Sequence, residues 1–133
     1  MFDAHPAMRW LSGVDHIVMP LTPGLHGLTD GRTFIATRIG LTKTEEGCAV
    51  MHEIVHVLLG HDGHQPQAIE REVREIAAQM LIPIGELEKE LCWASSEGEL
   101  ADSLGVTVAV LRDRLNLPDA RALMERAHFQ EWT

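Results

Sequence analysis

One short run constrains this chain more than any other: His52-Glu53-Ile54-Val55-His56. On an α-helix, residues four apart lie on one face. His52 and His56 can then present two imidazole nitrogens to a single metal ion. Glu53 stands where it can take a proton from water that the ion has made acidic. Such a run demands a helix across residues 52–56 and a third ligand from elsewhere in the chain. A bland alternative exists for so short a pattern, namely a solvated polar stripe on an amphipathic helix. A structural metal site is a third reading, since a ligand set alone does not specify catalysis.

The flanking sequence supports the helix. Thr42-Lys43-Thr44-Glu45 has the spacing of a capping box, which places a helix start near residue 43. Cys48, Met51, Val55 and Leu58 or Leu59 recur at helical spacing and mark an apolar face. Gly60 suits the C-terminal cap. Glu45 and Glu46 read as first-turn charges favoured by the helix dipole.

Ahead of this helix, Val14 to Met19 and the β-branched run Thr33 to Ile39 read as strands. Pro20, Pro23 and Gly24 interrupt the first, and Asp30-Gly31 is a hairpin-turn signal. A small antiparallel sheet is expected there, after an irregular arm or short helix over residues 1–13. Behind the helix, residues 61–66 read as a polar loop. A second helix follows from about Gln67 to Leu81, stopped by Pro83. A helical turn or two over Gly85 to Leu91 comes next. Leu100 to Thr107 then reads as helix, tight turn at Gly105 and a new N-cap at Thr107. A helix over Val108 to Leu115 and a last one from Pro118 toward Phe129 complete the chain. The expected fold class is α+β, a single domain over residues 1–133. Its sheet and metal-site helices occupy about 1–83 and a helical part about 84–133.

Candidates for the third ligand are His61, Asp62, His64, Glu70 and Glu72. A spacing with Gly three and His six residues beyond His56 is not met, because Leu59 and Asp62 stand there. At roughly 100° per residue, Glu70 lies near Val73 and Ala77 on the edge of the buried face of the second helix, and Glu72 lies on the opposite edge. Ala77 is small and leaves room. Glu70 is therefore favoured and Glu72 comes second. The bland reading of Glu70 is a surface carboxylate paired with Arg74 four residues on.

The ordered set His52-Glu53-Ile54-Val55-His56-Val57-Leu58-Leu59-Gly60-His61, Glu70-Arg71-Glu72 and Ala77-Ala78-Gln79-Met80-Leu81-Ile82-Pro83 resembles the ImmA/IrrE metallopeptidases. The likeness runs from about Thr33 to Leu117. It implies zinc on His52, His56 and Glu70, with Glu53 as the catalytic base. It also implies a protein substrate, typically a DNA-binding transcriptional repressor encoded nearby, often in phage or mobile elements. Val73, Ile76 and Ile82 stand where the family usually has Ala, Phe and Met, all apolar exchanges. The chain has no tyrosine. Support for an oxyanion therefore falls to a histidine, to Arg71 or Arg74, or to a backbone N–H. Two His and one carboxylate suit Zn2+, and Mn2+ or Fe2+ accept the same donors.

The balance of 11 basic and 20 acidic residues, a net charge of −9, argues against broad attraction to nucleic acid or anionic membrane. Leu100 to Leu115 resembles a helix-turn-helix, and the stretch around it from Glu97 to Leu117 carries Arg112 and Arg114 against Glu97, Glu99, Asp102 and Asp113. That is poor composition for reading DNA and better suited to docking a protein. Cys48 and Cys92 are far apart and read as core filling. His5, His16, His26 and His128 read as structural or surface residues, and His61 and His64 as loop residues. No signal peptide and no ~20-residue apolar span is visible, so a cytoplasmic protein is expected. The rival function is a non-catalytic, metal-stabilised anti-repressor that binds a basic partner through its acidic surface.

Overall fold

Thr42 starts the helix on which the fold is arranged. Its hydroxyl accepts from the Glu45 N–H at 3.1 Å, and the Glu45 carboxylate accepts from the Thr42 N–H at 3.0 Å. This is the reciprocal capping box expected from the sequence. In the computed structural model, which describes residues 6–127, helix α1 spans Lys43–Leu58. Gly60 takes a left-handed conformation at φ +72°, and the His61 N–H closes on the His56 carbonyl at 2.9 Å. That bond satisfies one of the orphan carbonyls at the helix end. The expectations for His5, His128 and the extension toward Phe129 lie outside the described residues.

The chain divides into two compact units, Met1–Val73 and Arg74–Thr133. The first contains a 3-10 turn at Pro6–Trp10 and the strands β1 (Asp15–Met19), β2 (Gly27–Thr29) and β3 (Phe34–Arg38), followed by α1. The α+β class is as expected, but the sheet is mixed rather than antiparallel. Its order is β1-β3-β2, with β1 parallel to β3 and β2 antiparallel to β3. The sequence reading lacked β2. The Asp30-Gly31 turn links β2 to β3, so β1 meets β3 only after the chain has passed through an additional strand. Asp30 builds that turn by accepting from the N–H groups of Arg32 and Thr33 at 2.9 and 2.8 Å. His16, buried on β1, pairs with the Thr37 hydroxyl at 2.8 Å, the structural role expected of it.

Packing corrects the predicted face of α1. Ala49, Val50, Met51, Ile54 and Val55 are buried, whereas Leu58 and Leu59 are 60% and 47% exposed. The strands β2 and β3 and the 3-10 turn all contact α1. Burial therefore broadens around the middle of the helix and runs to His56, leaving Leu58 exposed.

Helix α2 (Gln67–Leu81) begins in the first unit and ends in the second. The second unit continues with α3 (Ile84–Leu91), α4 (Glu97–Leu104), α5 (Val108–Leu115) and α6 (Pro118–Arg126). Ser96 and Thr107 cap α4 and α5, and Gly105 ends α4 at φ +71°. Ile82, Leu87, Leu100, Leu111 and Ala120 are fully buried there. The two arginines of the helix-turn-helix-like segment are both engaged. Arg112 pairs with Glu97 at 2.8 and 3.0 Å, and Arg114, with its side chain 2% exposed, pairs with Asp119 at 2.7 and 2.8 Å. Among the described residues no helix is long and apolar enough to cross a membrane.

Candidate metal centre

Three side chains from two helices converge within the first unit. The helical rise brings His52 and His56 to the same side of α1, their ring centroids 5.0 Å apart. Glu70, in the first turn of α2, comes to meet them. Its Oε1 lies 2.9 Å from His52 Nε2 and 3.1 Å from His56 Nε2. One donor atom from each residue falls within 4.8 Å of the others, close enough to hold a metal ion. Tetrahedral zinc with bonds of ~2.0–2.1 Å separates its ligand atoms by about 3.3 Å. The donor spacing therefore fits a small divalent ion, and two imidazoles with one carboxylate match its preferred chemistry.

Glu70 is held below the usual carboxylate range. Burial acts to raise its pKa, and the hydrogen bonds and charge of His52 and His56 outweigh that effect. It is thus presented ionised, as a ligand must be. Its side chain is 20% exposed and that of His56 only 4%.

Glu53 is in a different state. It is 5% exposed, and its Oε2 has no hydrogen-bond partner among the described residues. Burial, with the Glu70 charge adding to it, pushes its pKa up to about 7. Strand β2 encloses it: a Cβ on Gly27 would stand 3.1 Å from Glu53 Cγ and 3.2 Å from the Ala36 carbonyl oxygen. Glycine at 27 therefore permits the strand to lie directly over the carboxylate. An orphaned buried oxygen beside three converging metal donors is the arrangement that a water activated at the ion would complete.

The structure thus brings together His52, His56 and Glu70, with Glu53 adjoining in sequence. It leaves Glu72, Asp62 and His64 exposed and outside the cluster. Glu70 does not pair with Arg74, which instead lies 3.8 Å from Asp113. The contacts of two participants escaped the sequence reading. Gly27 carried no signal because β2 itself did not. His61 reads in the sequence as a loop residue, a candidate third ligand and the last residue of the His52–His61 motif; in the structure its Nδ1 lies 3.0 Å from Nδ1 of His56, on the nitrogen that does not face Glu70.

A family model for the M78 peptidases, described as the IrrE N-terminal-like domain, matches residues 18–116. No curated protein and no solved structure matches the chain.

Proposed function

The chain belongs to this family of IrrE N-terminal-like M78 peptidases, and on that premise we propose that it is a zinc-dependent metallo-endopeptidase. Zinc is held by His52, His56 and Glu70. The substrate is a protein, and we take it to be a DNA-binding transcriptional repressor cut at a specific bond. The observation that carries this reading is the pairing of a three-donor cluster with an unpartnered buried carboxylate oxygen on Glu53.

A bound divalent ion supplies Lewis acidity, bringing the pKa of water toward ~7 and polarising the scissile carbonyl. The rest falls to the chain. Glu53, tethered between two metal ligands on α1, acts as general base and removes a proton from the attacking water. The same carboxyl, now protonated, gives that proton to the departing amine nitrogen, so the proton balance closes. Its enclosure under Gly27 limits the solvent that can compete for it. Glu70, from the first turn of α2, would supply the third ligand atom facing the two imidazoles of α1.

The net charge of −9 fits a basic partner such as a repressor better than it fits DNA itself. Both arginines of the helix-turn-helix-like segment are already paired with carboxylates, which supports docking of protein rather than of phosphate there.

Elemental mass spectrometry of the purified protein tests the site. Stoichiometric zinc in the wild type, lost in Glu70→Gln, is the expected result. Wild-type protein that takes up no zinc on titration overturns the proposal. Catalysis is tested separately by Glu53→Gln. Retention of full biological activity in that variant would replace the peptidase with the anti-repressor reading.

A further inference from the structure

His56 has two ring nitrogens with different duties. Its Nε2 faces Glu70 Oε1 at 3.1 Å, and its Nδ1 faces Nδ1 of His61 at 3.0 Å. A neutral imidazole carries one proton. When Nε2 gives its lone pair to a metal, the proton must sit on Nδ1, and that N–H then needs an acceptor. His56 is 3% exposed, so water is a poor candidate. The acceptor within reach is His61 Nδ1, which has a free lone pair when His61 carries its own proton on Nε2.

His61 is itself braced. Gly60 at φ +72° turns the chain back at the end of α1, and the His61 N–H is bonded to the His56 carbonyl at 2.9 Å. From the opposite side, the β2–β3 turn presses against its backbone. A Cβ on Gly31 would stand 2.0 Å from the His61 carbonyl oxygen, so only glycine allows this approach. Asp30 fixes that turn through bonds from Arg32 and Thr33, and Gly31 itself donates to the Thr29 hydroxyl at 3.0 Å. The loop after α1 and the hairpin of the sheet thus meet at His61.

We propose that His61 is a positioning residue of the metal centre: it accepts the Nδ1–H of His56 and so holds the His56 Nε2 lone pair toward the ion. This rests on the metal-site reading above. It adds a function for a residue that provides no ligand atom. The hairpin turn at Asp30-Gly31 becomes part of the same support, because it sets where the His61 backbone lies.

Zinc affinity, measured by competition with a chromophoric chelator, tests this on the full chain. His61→Leu removes the acceptor and is expected to weaken zinc binding ~10–100-fold. His61→Asn places an amide oxygen near the lost Nδ1 and is expected to recover most of that affinity. In zinc-loaded wild type, the His56 Nδ1–H should give a slowly exchanging, downfield proton resonance that disappears in His61→Leu. Circular dichroism of both variants checks that the helices are intact. Wild-type affinity in His61→Leu overturns the proposal, and so does a His61→Asn variant no tighter than His61→Leu. A wild-type protein that binds no zinc would instead overturn the metal-site reading itself, so the two failures are distinct.

Discussion

Each unit of this molecule buries a charged or ionisable side chain, and the two are treated in opposite ways. In the second unit, Arg114 is 2% exposed and each of its three side-chain nitrogens has an acceptor. Its Nε donates to the Ile82 carbonyl at 2.7 Å, and its terminal nitrogens donate to both oxygens of Asp119. In the first unit, Glu53 is 5% exposed and one of its oxygens has no partner among the described residues. Burial of a polar group costs about 1–3 kcal/mol when its hydrogen bonds are left unmade. An arginine with an acceptor at every nitrogen suits a role in holding the fold together, and a buried carboxyl oxygen with no partner suits the catalytic role proposed for Glu53. The contrast separates an arginine with every nitrogen paired from a carboxylate with an oxygen left open, without reference to either residue's type.

The largest expected effect lies on the functional side. Glu53→Gln should lower cleavage of the substrate by ~10²–10⁴-fold, the usual range for a lost general base. Zinc content should be unchanged. A gel-based cleavage assay beside elemental analysis reads both quantities. Cleavage within a factor of two of wild type would end the distinction drawn here.

Next comes the structural side. Asp119→Ala leaves the buried Arg114 guanidinium without its main acceptor. Breaking a fully buried ion pair costs ~3–5 kcal/mol, and since the Asp119 side chain is 51% exposed the expected loss is about 2 kcal/mol. Urea denaturation measures it, and zinc affinity should not change. A variant with normal stability would show that Arg114 is held by packing and the Ile82 carbonyl alone.

Smaller and opposite in sign is the effect of Glu53→Met in metal-free protein. Replacing an unsatisfied buried carboxyl by an apolar side chain of similar length should raise stability by about 1 kcal/mol. Thermal melts of chelator-treated samples compare the two. A lower Tm in the variant would mean that Glu53 contributes to the fold as Arg114 does.

The smallest effect is the share of the acid dependence that Asp119 contributes in the second unit. The Arg114 guanidinium, with the Ala120 N–H, holds the Asp119 carboxyl below its ordinary 3.8. A depressed carboxyl pKa stabilises the fold above the unfolded value, and that contribution is lost as pH falls through the folded value. Stability should therefore decline below about pH 4, and less steeply in Asp119→Asn. Parallel pH profiles of wild type and variant would show the pair to be inert.

Much of the site was legible because its logic is local. The capping box at Thr42 and Glu45, the i, i+4 histidines and the left-handed Gly60 and Gly105 all act within one or two helical turns. Helical phase placed Glu70, rather than Glu72, at the edge that meets α1, and there it stands. The missed parts had no local signature. Strand β2 is the three residues Gly-Leu-Thr, too short to alternate, and without it the parallel pairing of β1 with β3 was not foreseeable. Leu58 and Leu59 continued an apolar pattern past the point where there was anything to pack against.

By itself, then, the sequence located the main helices and several of their ends, and put His52, His56 and, as the favoured third, Glu70 forward as residues able to hold a metal. Hydrogen bonds and side-chain phase within a helix depend on neighbours three and four residues away. Only the tertiary structure decided which of the polar residues would be satisfied. It laid Gly27 over Glu53 and Gly31 against His61, brought the His61 ring to His56, and enclosed Arg114 with Ile82 and Asp119. Except where a turn carried the chain straight back, as at His61, these contacts join residues distant in sequence. Burial and solvation there are set by what the rest of the chain brings alongside, and no local pattern records that.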